Sequence, residues 1–134
     1  MSFFDVLNVA ATGMSAQRIR LSAISSNLAN VNTTRTPDGG PYVRQDVVFK
    51  QVLEGALAGG VKVSEVVKDE KPPILKYEPG HPDADEEGYV AYPNINPIEE
   101  MVNMLETSKS YEANTTVLTT AKQLAMKALE IARA

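Results

Sequence analysis

The run FFDVLNVAATGMSAQRIRLSAISSNLANV, from Phe3 to Val31, decides the fold. Within it Phe3, Leu7, Ala10, Met14, Gln17, Leu21, Ile24, Leu28 and Val31 follow one another at alternating spacings of four and three. This is a heptad seam, and only Gln17 interrupts its apolar row. At 1.5 Å per residue it predicts a helix of about 43 Å. A helix with so narrow an apolar stripe is not stable alone in water, so it needs a partner.

The other end of the chain supplies one. Asn96 is a good N-cap and Pro97 suits a first helical position. Glu99 and Glu100 complement the helix dipole at the start, and Lys127 and Arg133 do so near the end. Neither Gly nor Pro occurs from residue 98 onward, so a helix of about 55 Å is expected. Its apolar stripe holds Met101, Met104, Leu105, Tyr111, Leu118, Ala121, Leu124, Ala125, Ala128, Ile131 and Ala132. Near its end this stripe is wider than the N-terminal one and can meet more than one neighbour. The expected fold is mainly α. Two long terminal helices pack as an antiparallel coiled-coil-like hairpin, and the small Ala positions of the second admit the Leu and Ile of the first.

Between the helices the pattern changes. Asn30, Asn32, Thr33 and Thr34 favour an ending, and Pro37, Asp38, Gly39, Gly40 and Pro41 form a turn cluster, so the first helix should stop near residue 32. Strands are expected at Tyr42 to Leu53, Val61 to Val67, Ile74 to Tyr77 and Gly88 to Tyr92, joined as one small antiparallel sheet of hairpins. Residues 1–33 and 96–134 then form a discontinuous helical assembly domain around an insert at 34–95. Residues 38 to 95 hold six basic and eleven acidic side chains, which predicts a solvated insert with an acidic loop at Gly80 to Gly88.

The chain has 134 residues, no Cys, no Trp and a net charge of -4. The mild negative charge argues against a nucleic-acid partner. Disulfides and thiolate metal sites are excluded. The first basic residue is Arg18, so there is no basic n-region of a secretory signal, and no stretch reaches the ~18 apolar residues of a membrane span. The chain is expected to be cytosolic, or to leave the cell by a route that needs no cleaved signal.

Catalytic chemistry is not expected. His81 is the sole His and reads as an exposed loop residue. Asp83, Asp85, Glu86 and Glu87 lack the spacing of a calcium loop. Ser25 and Ser26 have no nearby base. Gly39-Gly40 lacks the Lys of a phosphate loop. No catalytic residue, metal or cofactor is assigned. Gln17 reads either as a tolerated polar residue or as a register pin, since one polar residue in a seam disfavours slipped pairings.

The stretch Ser25 to Thr33 resembles the Asn-Leu-Ala-Asn-x-x-Thr signature of bacterial flagellar rod and hook axial proteins, with Asn27, Leu28, Ala29, Asn30 and Thr33 as the motif. The continuation Thr34 to Tyr42 and Arg44-Gln45 is similar to the branch that forms the proximal rod, where other branches have Gly-Tyr soon after the Thr. Tyr92 to Asn96, Glu99 to Met104 and Ser110 to Asn114 fit the same family. Pro97, where an aliphatic residue is expected, and Lys109, where Arg is usual, depart from it.

The resemblance implies a structural subunit, exported by the flagellar type III apparatus without a cleaved signal. Such a subunit assembles helically with copies of itself and other flagellar rod proteins in the basal-body rod that spans the periplasm, and contributes to motility. No nucleic acid and no direct membrane insertion are implied. The assembly seam would comprise Leu7, Ala10, Met14, Gln17, Leu21, Ile24, Leu28 and Val31 with Tyr111, Leu118, Ala121, Leu124, Ala125, Ala128 and Ile131. The terminal helices would line the tube and the insert would face outward. A cytosolic coiled-coil adaptor using the same seams is the alternative. An interfacial membrane binder is a third reading, but only Arg18 and Arg20 supply the basic face that it wants.

Overall fold

The structure, a computed structural model, describes residues 2–55 and 58–134. The first helix, α1, spans Phe3–Ala29. Its start is fixed by a capping box: Ser2 Oγ accepts from the Asp5 amide at 3.2 Å, and the Ser2 amide donates to Asp5 Oδ2 at 2.7 Å. Its end comes at Ala29, short of the expected Val31. Asn30 donates through Nδ2 to the Ser26 carbonyl at 2.8 Å and accepts from the Thr33 hydroxyl at 3.1 Å, so side chains satisfy groups that another helical turn would have used. The last helix, α2, spans Pro97–Arg133, and Asn96 Oδ1 caps it by accepting from the Ile98 amide at 3.0 Å.

Four strands lie between: β1 (Gln45–Gln51), β2 (Val61–Lys68), β3 (Ile74–Tyr77) and β4 (Tyr89–Tyr92). They form two separate antiparallel hairpins, β1–β2 and β3–β4, rather than the one sheet expected. The break falls at Pro72-Pro73, whose nitrogens carry no proton for a ladder bond. In the first hairpin Gln45 pairs with Lys68 and Gln51 with Val61, with a register shift between Val48 and Phe49. In the second, Ile74 pairs with Tyr92 and Tyr77 with Tyr89. Gly88 closes that second hairpin at φ 88°, where a Cβ would stand 2.9 Å from the Tyr77 ring. β1 begins at Gln45 and not at Tyr42, because the Tyr42 amide donates to the Thr33 carbonyl inside the turn cluster.

The apolar core is thin and rich in alanine. Ala10, Ala16, Ala23, Ile24, Val47, Val90, Ile95 and Ala121 are its buried hydrophobic members. Small residues let α1 lie close to both of its neighbours. One face meets α2; another meets the β1–β2 hairpin, where Thr12 Oγ1 accepts from the Val61 amide at 3.1 Å and the Arg20 guanidinium sits 5.4 Å from the Phe49 ring centre.

In the acidic loop Asp85, Glu86 and Glu87 are exposed as expected, while Asp83 is half-buried. Asp83 accepts from the Thr34 hydroxyl at 2.7 Å and pairs with Arg35 at 2.5 Å, which ties this loop to the turn cluster after α1. Asp85 Oδ1 accepts from the amides of Glu87 and Tyr89. His81 is half-buried rather than exposed: its Nδ1 accepts from the Asp83 amide, and its ring stands edge-on to Tyr92. Fixed donors within reach, not net charge, decide how this loop sits.

Candidate functional site

The two helices run antiparallel in a definite register. Asn27 of α1 touches Glu100 of α2, and Gly13 lies under Asn114. Fourteen residues back along α1 is thus fourteen forward along α2, two heptads on each. A Cβ on Gly13 would come within 2.9 Å of Asn114 Nδ2, so glycine permits the close approach here. The face of α2 turned to α1 is Glu100, Met104, Thr107, Tyr111, Asn114, Leu118, Ala121 and Ala125, all buried or half-buried and spaced alternately by four and three.

At one end of the pair the contact is polar and buried. Asn27 is fully buried and its carboxamide makes four hydrogen bonds. Nδ2 donates to the Gln45 carbonyl at 2.8 Å and to Glu100 Oε2 at 3.1 Å. Oδ1 accepts from the Gln45 amide at 2.9 Å and the Tyr42 hydroxyl at 3.0 Å. Towards Gln45 the side chain therefore acts as a strand neighbour would, pairing with both backbone groups of one residue on the side away from β2. Glu100, 1% exposed, also accepts from Arg44 Nε at 2.5 Å. Arg44 faces Asp46 at 3.6 Å and Asp69 at 3.8 Å as well. Burial alone would lower the Arg44 pKa, but Glu100, Asp46 and Asp69 together outweigh it and hold the guanidinium more firmly charged. One junction thus joins the end of α1, the start of β1 and the first turn of α2.

The sequence-predicted seam residues divide between inner and outer surfaces. Ala10 and Ile24 are buried; Leu7, Met14, Gln17, Leu21, Leu28 and Val31 are half-buried, the last beyond the end of α1. On α2, Ala121 is buried and Tyr111, Leu118 and Ala125 are half-buried on the α1 side. Leu124, Ala128 and Ile131 are exposed, Ile131 at 78%. Leu124 stands outside the row that faces α1; for Ala128 and Ile131 the cause is length. Continuing the register puts Phe3 opposite residues 124 and 125, so residues 126–133 run past the start of α1 with no helix beside them. Met126, Leu129 and Ile131 are bare there, with Phe4 close to the same end. A second bare patch, Ile98, Met101, Val102 and Leu105, lies at the start of α2 on the side away from α1.

In the motif, Asn27 sits in the junction, while Asn30 and Thr33 shape the helix end. Leu28 is half-buried and Ala29 exposed. Sequence reasoning missed the roles of Glu100, Tyr42, Arg44, Gly13 and Asn114. For Glu100 a signal existed, since it continues the α1-facing heptad of α2 and a carboxylate in a seam asks for a partner. Among the described residues no group of three or more His, Cys, Asp or Glu could hold a metal ion, and no helix is long and apolar enough to cross a membrane.

Residues 7–35 match the model of the flagella basal body rod protein family, and residues 86–131 match that of the flagellar basal body rod FlgEFG protein C-terminal region. The chain is 44% identical to the flagellar basal-body rod protein FlgC of Borreliella burgdorferi, with 98% of each chain covered. It is 42% identical to that of Escherichia coli O157:H7, again over 98% of each. With the FlgC of Bacillus subtilis it shares 41% identity over 99% of this chain and 100% of the relative. These full-length likenesses, with both rod models falling on the paired helices, place the chain in the FlgC family of flagellar basal-body rod proteins.

Proposed function

We infer that the chain is a structural subunit of the proximal rod of the bacterial flagellar basal body. It leaves the cytoplasm through the flagellar type III apparatus without a cleaved signal. It then assembles helically with copies of itself and with other rod proteins, and so supports motility. Residues 1–33 and 96–134 act as the assembly domain, and the insert at 34–95 faces outward from the tube. The observation that carries this reading is the bare apolar surface of α2. Leu124, Leu129 and Ile131 are each more than 60% exposed in the single chain. A contiguous exposed apolar surface of this kind marks a place where a neighbour docks.

The test uses Ile131→Asp in a strain lacking the gene. The side chain is 78% exposed, so the monomer should fold as before, while basal bodies seen by electron microscopy should lack completed rods. Wild-type rods and swimming with this substitution would overturn the assembly surface. A small soluble oligomer of fixed size, present equally without the export apparatus, would instead favour a cytosolic adaptor.

A further inference from the structure

Apolar heptads alone do not choose between registers, because a slip of seven residues sets one apolar position against another. Besides the Asn114 amide over Gly13, the helix pair here has two buried polar features that do. One is the Asn27–Glu100–Arg44 junction. The other is Gln17, whose Oε1 is buried with no hydrogen-bond partner. Beside it lies a cavity of about 110 Å³ lined by Gln17, Arg20, Asn103, Glu106, Thr107 and Ser110. That space is polar and large enough for water, so the orphan oxygen can be satisfied in this register.

We propose that Gln17 and Glu100 are the specificity-determining residues of the helix pair: they fix its register, and through it the length of α2 left bare for a neighbour. A slip of seven in one direction turns Glu100 towards Leu21 and Gln17 towards Met104. In the other direction Glu100 passes beyond the end of α1 and Gln17 meets Leu118. Either way Glu100 loses its bond from Asn27, and Gln17 leaves the polar cavity beside it. Either slip also changes the overhang at residues 126–133 by about 10 Å. The proposal concerns pairing within one chain and does not depend on the chain being a rod subunit.

The chain has no Cys, so disulfide trapping reports register directly. Ala10→Cys with Leu118→Cys reads the native register. Ala10→Cys with Ala125→Cys and Ala10→Cys with Tyr111→Cys read the two slips. In an otherwise native chain only the first pair should close. The double variant Gln17→Leu, Glu100→Met removes both polar selectors and leaves Thr107 and the Asn114 amide over Gly13 in the seam. Arg44 there keeps Asp46 and Asp69, and Asn27 keeps three of its four bonds. The helix pair should therefore persist, while the ratio of slipped to native disulfide rises about tenfold or more. If the native pair remains the sole product, the remaining fit along the seam, with Asn114 over Gly13, sets the register and the proposal is wrong. If no pair closes, the two residues hold the helices together rather than select their alignment, which also overturns it. Glu100→Gln can still accept from Asn27 and should stay in the native register.

Discussion

Asn27 and Glu100 show that the energetic weight of this fold at the scale of single residues rests on polar groups. Removing Asn27 strands a buried carbonyl and amide of Gln45 and one oxygen of Glu100. Asn27→Leu should therefore lower stability by about 2–4 kcal/mol in urea unfolding of the monomer. The ion pair beside it is asymmetric. Arg44→Met leaves Glu100 charged and 1% exposed with only the Asn27 amide, a loss of about 3–5 kcal/mol. Glu100→Met leaves Arg44 between two carboxylates with access to water and should cost clearly less. Equal losses in the two variants would show that Glu100 is solvated in a way that this geometry does not provide. Asp83 gives a pH signature. The Thr34 hydroxyl bond, with Arg35 and His81 adding to it, holds its carboxyl below the ordinary carboxylate range, against a smaller opposing effect of desolvation. A carboxylate with a depressed folded pKa stabilises fully above its unfolded value, about 4, and loses that contribution as pH falls through the lower one. The tie between the two loops should accordingly loosen below about pH 4, read by hydrogen exchange at residues 33–42, and Asp83→Asn should flatten that dependence.

At the scale of elements, Gly13 and Asn114 define how closely α1 and α2 approach. Alanine at an exposed helix position gains about 1 kcal/mol over glycine. Here Gly13→Ala should forfeit that gain, because the new methyl meets the Asn114 amide at 2.9 Å. Adding Asn114→Ala removes the obstacle, so the double variant should be more stable than the sum of the singles by about 0.5–3 kcal/mol in a thermal-unfolding cycle. Additive singles would mean that Asn114 swings aside freely. Both helices were legible because a heptad row and Asn96-Pro97 are local signals, β1 and β2 from their valines, and β3 and β4 from short apolar stretches beside Gly and Pro. The two-hairpin arrangement was not, although Pro72-Pro73 carried its cause, since a sequence shows which residues can pair and not where a ladder is interrupted. The junction was legible only in part. Asn27 stood out as part of a motif, whereas Glu100 was read as a dipole partner, because its half-buried cation, Arg44, lies 56 residues away outside the helix. The solvated reading of Asp83 failed for the same reason, its partners Thr34 and Arg35 lying almost 50 residues upstream.

At the scale of the whole molecule, α2 is ten residues longer than α1, and this difference leaves an apolar rod end in water. It separates two roles that would otherwise be confounded. Leu118 faces α1 and is half-buried, so Leu118→Asp places a charge inside the monomer's own seam and should destabilise it by several kcal/mol, as should Leu21→Asp. Loss of assembly in those variants would report folding as much as assembly. Truncation after Met126 is cleaner. It removes Leu129 and Ile131, which are 62% and 78% exposed, and leaves the face of α2 against α1 intact through Ala125. Monomer unfolding should then shift little. In the assembled state those side chains would be covered, and at roughly 25 cal/mol per Å² their loss amounts to several kcal/mol per subunit, repeated along the rod. Deleting Asp83 to Glu87 should do the reverse. It cuts the Thr34 and Arg35 contacts and the turn that closes β3–β4, so it weakens the insert's own fold while leaving both helices and the overhang in place. Urea unfolding of each monomer, set beside counts of completed rods in the same strains, gives a two-by-two result. The expected pattern is a stable but assembly-dead truncation and a destabilised deletion that still forms rods when export and expression are matched. If the truncated chain builds rods at the wild-type frequency, the overhang is not the surface that neighbours cover, and the contacts between subunits must instead lie on the outward side of the helix pair at Ile98, Met101 and Leu105.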